Sequence, residues 1–180
     1  DRLQGFRYFD ERDLLGFVDG TESPSGDEAL QTVTITDDPP FDGGSYLITQ
    51  RYLHDLTAWN GLTVEQQEAA IGRHKLDDIE IPDAKKAANS HVVLNSITDA
   101  DGNDLKIVRE NMPFGTVGEE YGTYFIGYAS DPAVIERMLH NMFIGDPVGT
   151  HDRILDFSTA VTGSLFYIPT VDFLDDPKLA

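Results

Sequence analysis

Asp19 is the acidic side chain best placed for chemistry, because Gly16-Phe17-Val18-Asp19-Gly20 sets it between two glycines and beside an aromatic and a valine. Flanking glycines open turn conformations closed to other residues and let a flat ligand approach the main chain. Phe17 and Val18 dry the neighbourhood, which raises a carboxyl pKa and suits it to acid/base work. Asp-Gly is also a common turn dipeptide, so a plain surface turn is the competing reading. Arg109 follows the apolar run Leu105-Lys106-Ile107-Val108 and leads into Glu110-Asn111-Met112-Pro113-Phe114-Gly115. A guanidinium emerging there needs a counter-charge, which is either one of the chain's many carboxylates or an oxyanion formed during reaction.

Five histidines are present, and His91 differs from the others because polar Asn89-Ser90 precedes it and apolar Val92-Val93-Leu94 follows. One imidazole in that setting binds a haem iron through one nitrogen while the other bonds an acidic partner, or it is a partly buried structural histidine. His140 reads as structural, and His54, His74 and His151 as solvated. Arg73, near a helix end, either meets a carboxylated cofactor or simply interacts with the helix terminus. No HExxH, GxSxG, GxxxxGK[ST] or helix-opening GxGxxG occurs, which removes the commonest hydrolase and nucleotide-binding signatures. The absence of cysteine removes disulfides, thiolate metal sites and cysteine nucleophiles.

The elements that must position these residues follow from pattern. Residues 1–44 read as an ordered loop region carrying Asp19, with a short β-prone run at Thr32–Thr36 and a breaker at Asp37-Asp38-Pro39-Pro40. Ser45–Leu53 is rich in aromatic and β-branched residues and predicts a strand. Asp55–Asn60 predicts a short helix, and Thr63 with Gln66 a capping box opening a second one from Val64 to about Lys75. The turn at Asp101-Gly102-Asn103 predicts a strand at Leu105–Arg109, paired with Gly122–Ala129. Asp131-Pro132 starts a helix that carries Val134, Ile135, Met138, Leu139, Met142 and Phe143 on one face and stops at Gly145. Val161–Ile168 closes the chain as a strand. From residue 45 to 180 the order is β-α-β-β-α-β, an α+β, ferredoxin-like unit with an antiparallel sheet.

With 180 residues the chain fits one domain. Its formal charge of −19 lies far beyond the magnitude of about 2–8 usual for a small soluble domain. Phosphate backbones repel such a surface, so nucleic acid is excluded as a partner, whereas cationic or neutral small molecules are not. No apolar run approaches the roughly 18 residues of a membrane span. A cytoplasmic location is the expectation. The chain begins at Asp1 without methionine, which predicts a piece of a longer protein.

Taken together, Gly16-Phe17-Val18-Asp19-Gly20, Ser90-His91, Arg109-Glu110-Asn111 and Pro113-Phe114-Gly115 resemble the dye-decolourising peroxidases, a family of haem peroxidases. Asp152 to Pro169, with Leu155-Asp156-Phe157 and Val161-Thr162-Gly163-Ser164-Leu165-Phe166, is similar to the family's closing segment. The resemblance implies haem b, with His91 as axial iron ligand and Asp19, Arg109 and Asn111 on the opposite face. It implies an acidic partner for His91, with Asp152 the first choice and Asp156 the second, and an Arg73 that meets a haem propionate. It implies hydrogen peroxide and a small-molecule electron donor as substrates. Trp59 or a surface tyrosine is a further candidate, as a relay of electrons from bulky donors, and a homo-oligomer is the expected assembly. The family has two ferredoxin-like halves resembling a dimeric α+β barrel. This chain corresponds to the second, and the missing N-terminal half is a further expected partner. Two other readings stand beside the peroxidase: a haem-binding or haem-delivery protein, and a haem-free interaction domain.

Overall fold

The computed structural model describes residues 3–177; residues 1–2 and 178–180, the outer ends of the expected 1–44 and 45–180 regions, lie outside the described residues. In chain order the elements are α1 (Gly26–Val33), β1 (Ser45–His54), α2 (Leu56–Asn60), α3 (Val64–Ile71), α4 (His91–Asn95), β2 (Ile97–Thr98), β3 (Asp104–Leu105), β4 (Val108–Gly115), β5 (Tyr121–Ala129), α5 (Pro132–Phe143), a 3₁₀ turn (Arg153–Asp156), β6 (Ser158–Ile168) and α6 (Val171–Asp175). Four strands form one antiparallel sheet in the order β4-β5-β1-β6, with the chain crossing through helices between β1 and β4 and between β5 and β6. This is the ferredoxin-like arrangement.

Strand β1 occupies a central position, pairing with β5 on one edge and β6 on the other. Ile48, Gln50 and Tyr52 alternate along it and are buried, as a period of two requires. It pairs Thr49 with Ile126 of β5 and with Ser164 of β6. A register shift between Arg51 and Tyr52 leaves Val161 of β6 without a partner, which bends the sheet there. Pro113 sits in β4, an edge strand, where a missing N–H costs the ladder least.

Three predicted elements are corrected. The Thr32–Thr36 run is not a strand: α1 extends to Val33, favoured by Asp27 and Glu28 in its first turn, where acidic groups complement the helix dipole. The strand expected over Leu105–Arg109 is divided. Leu105 pairs with Ile97 in a two-residue ribbon, Ile107 turns into the core, and the main ladder begins at Val108 and runs through Gly115. The second helix stops at Ile71 rather than near Lys75, because Gly72 adopts φ 99 as a left-handed cap. The capping box of Thr63 with Gln66 and the Asp131 cap of α5 form as predicted.

Two apolar clusters support the molecule. Leu15, Phe17, Trp59, Ala70 and Ile71 pack beneath the Asp19 loop, and Ile48, Ile107, Ala129 and Ile135 fill the space between sheet and α5. Trp59 has no exposure, and its ring meets Phe17 and Phe157 edge-on.

Candidate functional site

The loop that carries Asp19 is clamped at several points. Arg12 Nη1 donates to the Gly16 carbonyl at 3.1 Å and to the Lys75 carbonyl at 2.6 Å, and Trp59 Nε1 donates to the Leu15 carbonyl at 2.9 Å. Gly16 has φ 91, a left-handed conformation in which any residue with a Cβ is strained, and the end of the Lys75 side chain lies against it. From this frame Asp19 Oδ1 accepts a hydrogen bond from Asn111 Nδ2 at 2.7 Å. Asn111 and Arg109 are two apart on β4 and share one face of the sheet. The Ser23 hydroxyl joins loop to strand, accepting from the Arg109 N–H at 3.2 Å. Among the described residues the Arg109 guanidinium makes no ion pair, and it faces a cavity.

His91 opens α4 behind Ser90, which is fully buried. The short helix is tied to α5 by Asn141 Nδ2, which donates to the Leu94 carbonyl at 2.9 Å. His91 Nδ1 lies 2.7 Å from Asp152 Oδ2, and Asp152 has no solvent exposure. The other carboxylate oxygen accepts the Ile154 N–H at 3.0 Å, so Asp152 also caps the 3₁₀ turn. Asn95 Nδ2 donates to the His91 carbonyl at 2.8 Å and approaches Asp152 Oδ2 at 3.4 Å. With Nδ1 occupied, Nε2 is the ring nitrogen left for a ligand. Asp156, the second-choice partner, instead pairs with His151 at 2.8 Å and Arg153 at 3.1 Å.

Asp19, Arg109, Asn111, His91 and Arg73 all line one cavity of about 440 Å³, whose apolar walls include Ile107, Phe125, Met138, Leu139 and Met142. Its volume lies within the range of small-molecule and cofactor pockets. A macrocycle that brings its own iron needs from the protein an axial donor, apolar contact for its faces and a cation for its acidic edge. Histidine, methionine and leucine walls, and arginine meet those needs. Arg73 is held by Glu22 at 2.7 Å, Asp78 at 3.5 Å and Glu80 at 3.7 Å rather than by a helix terminus.

Sequence reading passed over several residues at this cavity. His54 is not solvated as expected: its ring nitrogens meet Ser158 Oγ at 2.8 Å and Thr123 Oγ1 at 2.9 Å, and burial pushes it down to about 4. Its place two residues after Tyr52 on the inward face of β1 was the available signal. The Tyr52 phenol is pushed up to about 12, mainly by burial and further by the charge of Asp152. Asp13 also lines the cavity and is pushed up to about 6, chiefly by burial, with a contribution from Asp19. Neither tyrosine nor aspartate carried a motif that would have marked it.

The fold is α+β, a ferredoxin-like sheet that gathers a histidine–carboxylate couple and an Asp/Asn/Arg group around one cavity. The C-terminal region of the Dyp-type peroxidases matches residues 10–173, and the chain belongs to this family. It is 64% identical over 179 residues to the dye-decolorizing peroxidase of Mycolicibacterium paratuberculosis, covering 98% of this chain and 51% of that protein. Among solved structures, the encapsulated DyP-type peroxidase from Mycobacterium smegmatis superposes with a TM-score of 0.94 at 64% identity, over 98% of this chain and 58% of that one. A DypB variant from Rhodococcus jostii RHA1 in complex with heme gives 0.95 at 58% identity, over 98% and 57%. The chain thus spans about half the length of the relatives it matches. Among the described residues no helix is long and apolar enough to cross a membrane.

Proposed function

We propose that this chain is the haem-binding portion of a peroxidase that uses hydrogen peroxide to oxidise one-electron donors such as dyes and phenolic compounds. The observation that carries the reading is the convergence on one cavity of the His91–Asp152 couple and the Asp19–Asn111 hydrogen bond. Residues 1–44 serve as the loop region that presents Asp19, and 45–180 as the unit that holds the cofactor.

His91 Nε2 is assigned to the iron of haem b, and Asp152 fixes the ring orientation and makes the imidazole a stronger donor. Arg73 meets a propionate, exchanging for it the exposed carboxylate of Glu22. Haem, when bound, supplies the electrons that break the peroxide O–O bond and regains them from the donor. Asp19 takes the proton from the inner peroxide oxygen and returns it to the outer one, directly or through water. Asn111 keeps the Asp19 carboxylate aimed, and the Arg109 guanidinium, which forms no ion pair among the described residues, stabilises the negative charge that develops on the departing oxygen. Trp59 is wholly buried against Phe17, so surface tyrosines suit an outward electron relay better. The acidic surface favours cationic donors. The homo-oligomer, the cytoplasmic location and pairing with an N-terminal half are carried over from the family and from the encapsulated relative.

The Asp19–Asn111 pair favours this reading over haem delivery, which needs His91 and apolar walls but no proton-transfer group. The deciding experiment is the absorption spectrum of hemin-loaded protein before and after one equivalent of peroxide, in wild type and in Asp19→Asn/Arg109→Leu. Expected is a Soret band in both and a peroxide-induced change in wild type that is greatly slowed in the double variant. Equal reactivity would reject the assignment of Asp19 and Arg109; no hemin binding by either would reject the haem site.

A further inference from the structure

We infer that Asp13 is a positioning residue for Asp19, gripping the loop through Phe17 and placing a second carboxyl group in the same cavity wall. The inference rests on the proposed function, in which Asp19 moves the proton. Asp13 holds both ends of the turn: its N–H donates to the Phe17 carbonyl at 2.9 Å, its carbonyl accepts the Gly16 N–H at 3.0 Å, and its Oδ1 accepts the Phe17 N–H at 2.9 Å. The charged groups facing it are Asp19 on its own loop, Arg12, whose guanidinium reaches Gly16, and Lys75 from the segment after α3. Lys75 Nζ is engaged by Gln67 Oε1 at 2.6 Å and lies 5.5 Å from the Phe17 ring centroid, and among the described residues it forms no ion pair with Asp13. Burial is the main reason that Asp13 keeps its proton up to about pH 6; Asp19 adds to the effect and the Phe17 N–H opposes it.

Two carboxyls that repel each other ionise in succession rather than together. As the pH rises through about 6, Asp13 gains its charge in the cavity wall that Asp19 shares. The Asp13→Asn side chain keeps an oxygen for the Phe17 N–H and removes only the charge.

The test reads the Asp13 carboxyl carbon by ¹³C NMR titration, with and without hemin, in wild type and Asp19→Asn. It also follows the pH dependence of the reaction with peroxide in haem-loaded wild type and Asp13→Asn. The Asp13 midpoint is expected to fall in Asp19→Asn, because the neighbouring carboxylate raises it. The wild-type rate profile should carry an inflection near pH 6 that Asp13→Asn lacks. A midpoint indifferent to Asp19→Asn overturns the inference whether or not the protein reacts with peroxide, and so does an inflection that survives in Asp13→Asn. Wild-type protein that binds hemin but ignores peroxide refutes the peroxidase reading alone, and the NMR midpoints still decide the coupling.

Discussion

The Nδ1 of His91 and the Oδ2 of Asp152 lie 2.7 Å apart, and the carboxylate has no contact with solvent. A buried carboxylate that bonds one ring nitrogen fixes the tautomer and raises the basicity of the other. Asp152→Asn keeps the shape but removes the charge. It is expected to lower hemin affinity by roughly 10- to 100-fold, the range for loss of such an orienting group. The reduction potential of the bound iron should rise at the same time. Hemin titration followed at the Soret band, with spectroelectrochemistry, measures both; unchanged affinity and potential would remove Asp152 from the site.

Asn111 reaches Asp19 Oδ1 at 2.7 Å from the neighbouring strand. Asn111→Ala leaves Asp19 present but unaimed, whereas Asp19→Asn removes the proposed proton carrier itself. The first is expected to slow the reaction with peroxide by about tenfold and the second by roughly 10²–10⁴-fold. Stopped-flow absorbance at matched haem content checks the order. A larger loss from Asn111→Ala than from Asp19→Asn would assign the proton step to another group.

Legibility from sequence followed local chemistry. The caps at Thr63 and Asp131, the alternation of β1 and the apolar face of α5 need only neighbouring residues, and all could be read. The α1 helix was hidden because Thr32 and Thr34 carry strand propensity, while its acidic first turn decides the local structure. Asp152 could be proposed from family resemblance, but its separation from Asp156 in space depends on the 3₁₀ turn that it caps. Asp13 and His54 were missed because burial, which sets their chemistry, is a property of the packed sheet and loop rather than of adjacent residues.

Arg73 has a side chain only 12% exposed and faces three carboxylates, of which Asp78 is 17% exposed and Glu22 59%. Arg73→Ala therefore removes the cation beside a largely buried Asp78, which among the described residues keeps only the Thr21 hydroxyl at 2.6 Å, at an expected cost of about 1–3 kcal/mol. Glu22→Gln removes a partner that water can replace, and should cost no more than about 1 kcal/mol. Urea denaturation separates the two. If Arg73 also meets a propionate, Arg73→Ala alone weakens hemin binding, and equal hemin affinities in the two variants would leave it a purely structural cation.

Asp13 and His54 bias stability in opposite directions over the same pH range. His54 is neutral in the fold, with its value lowered from 6.5 to about 4. Its contribution is fully present above 6.5 and is lost as pH falls through 4, amounting to about 3 kcal/mol. Asp13 is raised from 3.8 to about 6. Its contribution is fully present below 3.8 and is lost as pH rises through 6, again about 3 kcal/mol. The two changes largely offset each other in wild type, so substitution should unmask them. Relative to wild type, His54→Gln should gain stability as pH falls from 7 to 4, whereas Asp13→Asn should lose it more steeply. Urea unfolding of all three proteins at pH 4, 5, 6 and 7 gives the slopes directly, and parallel curves would show that neither group changes its proton affinity on folding.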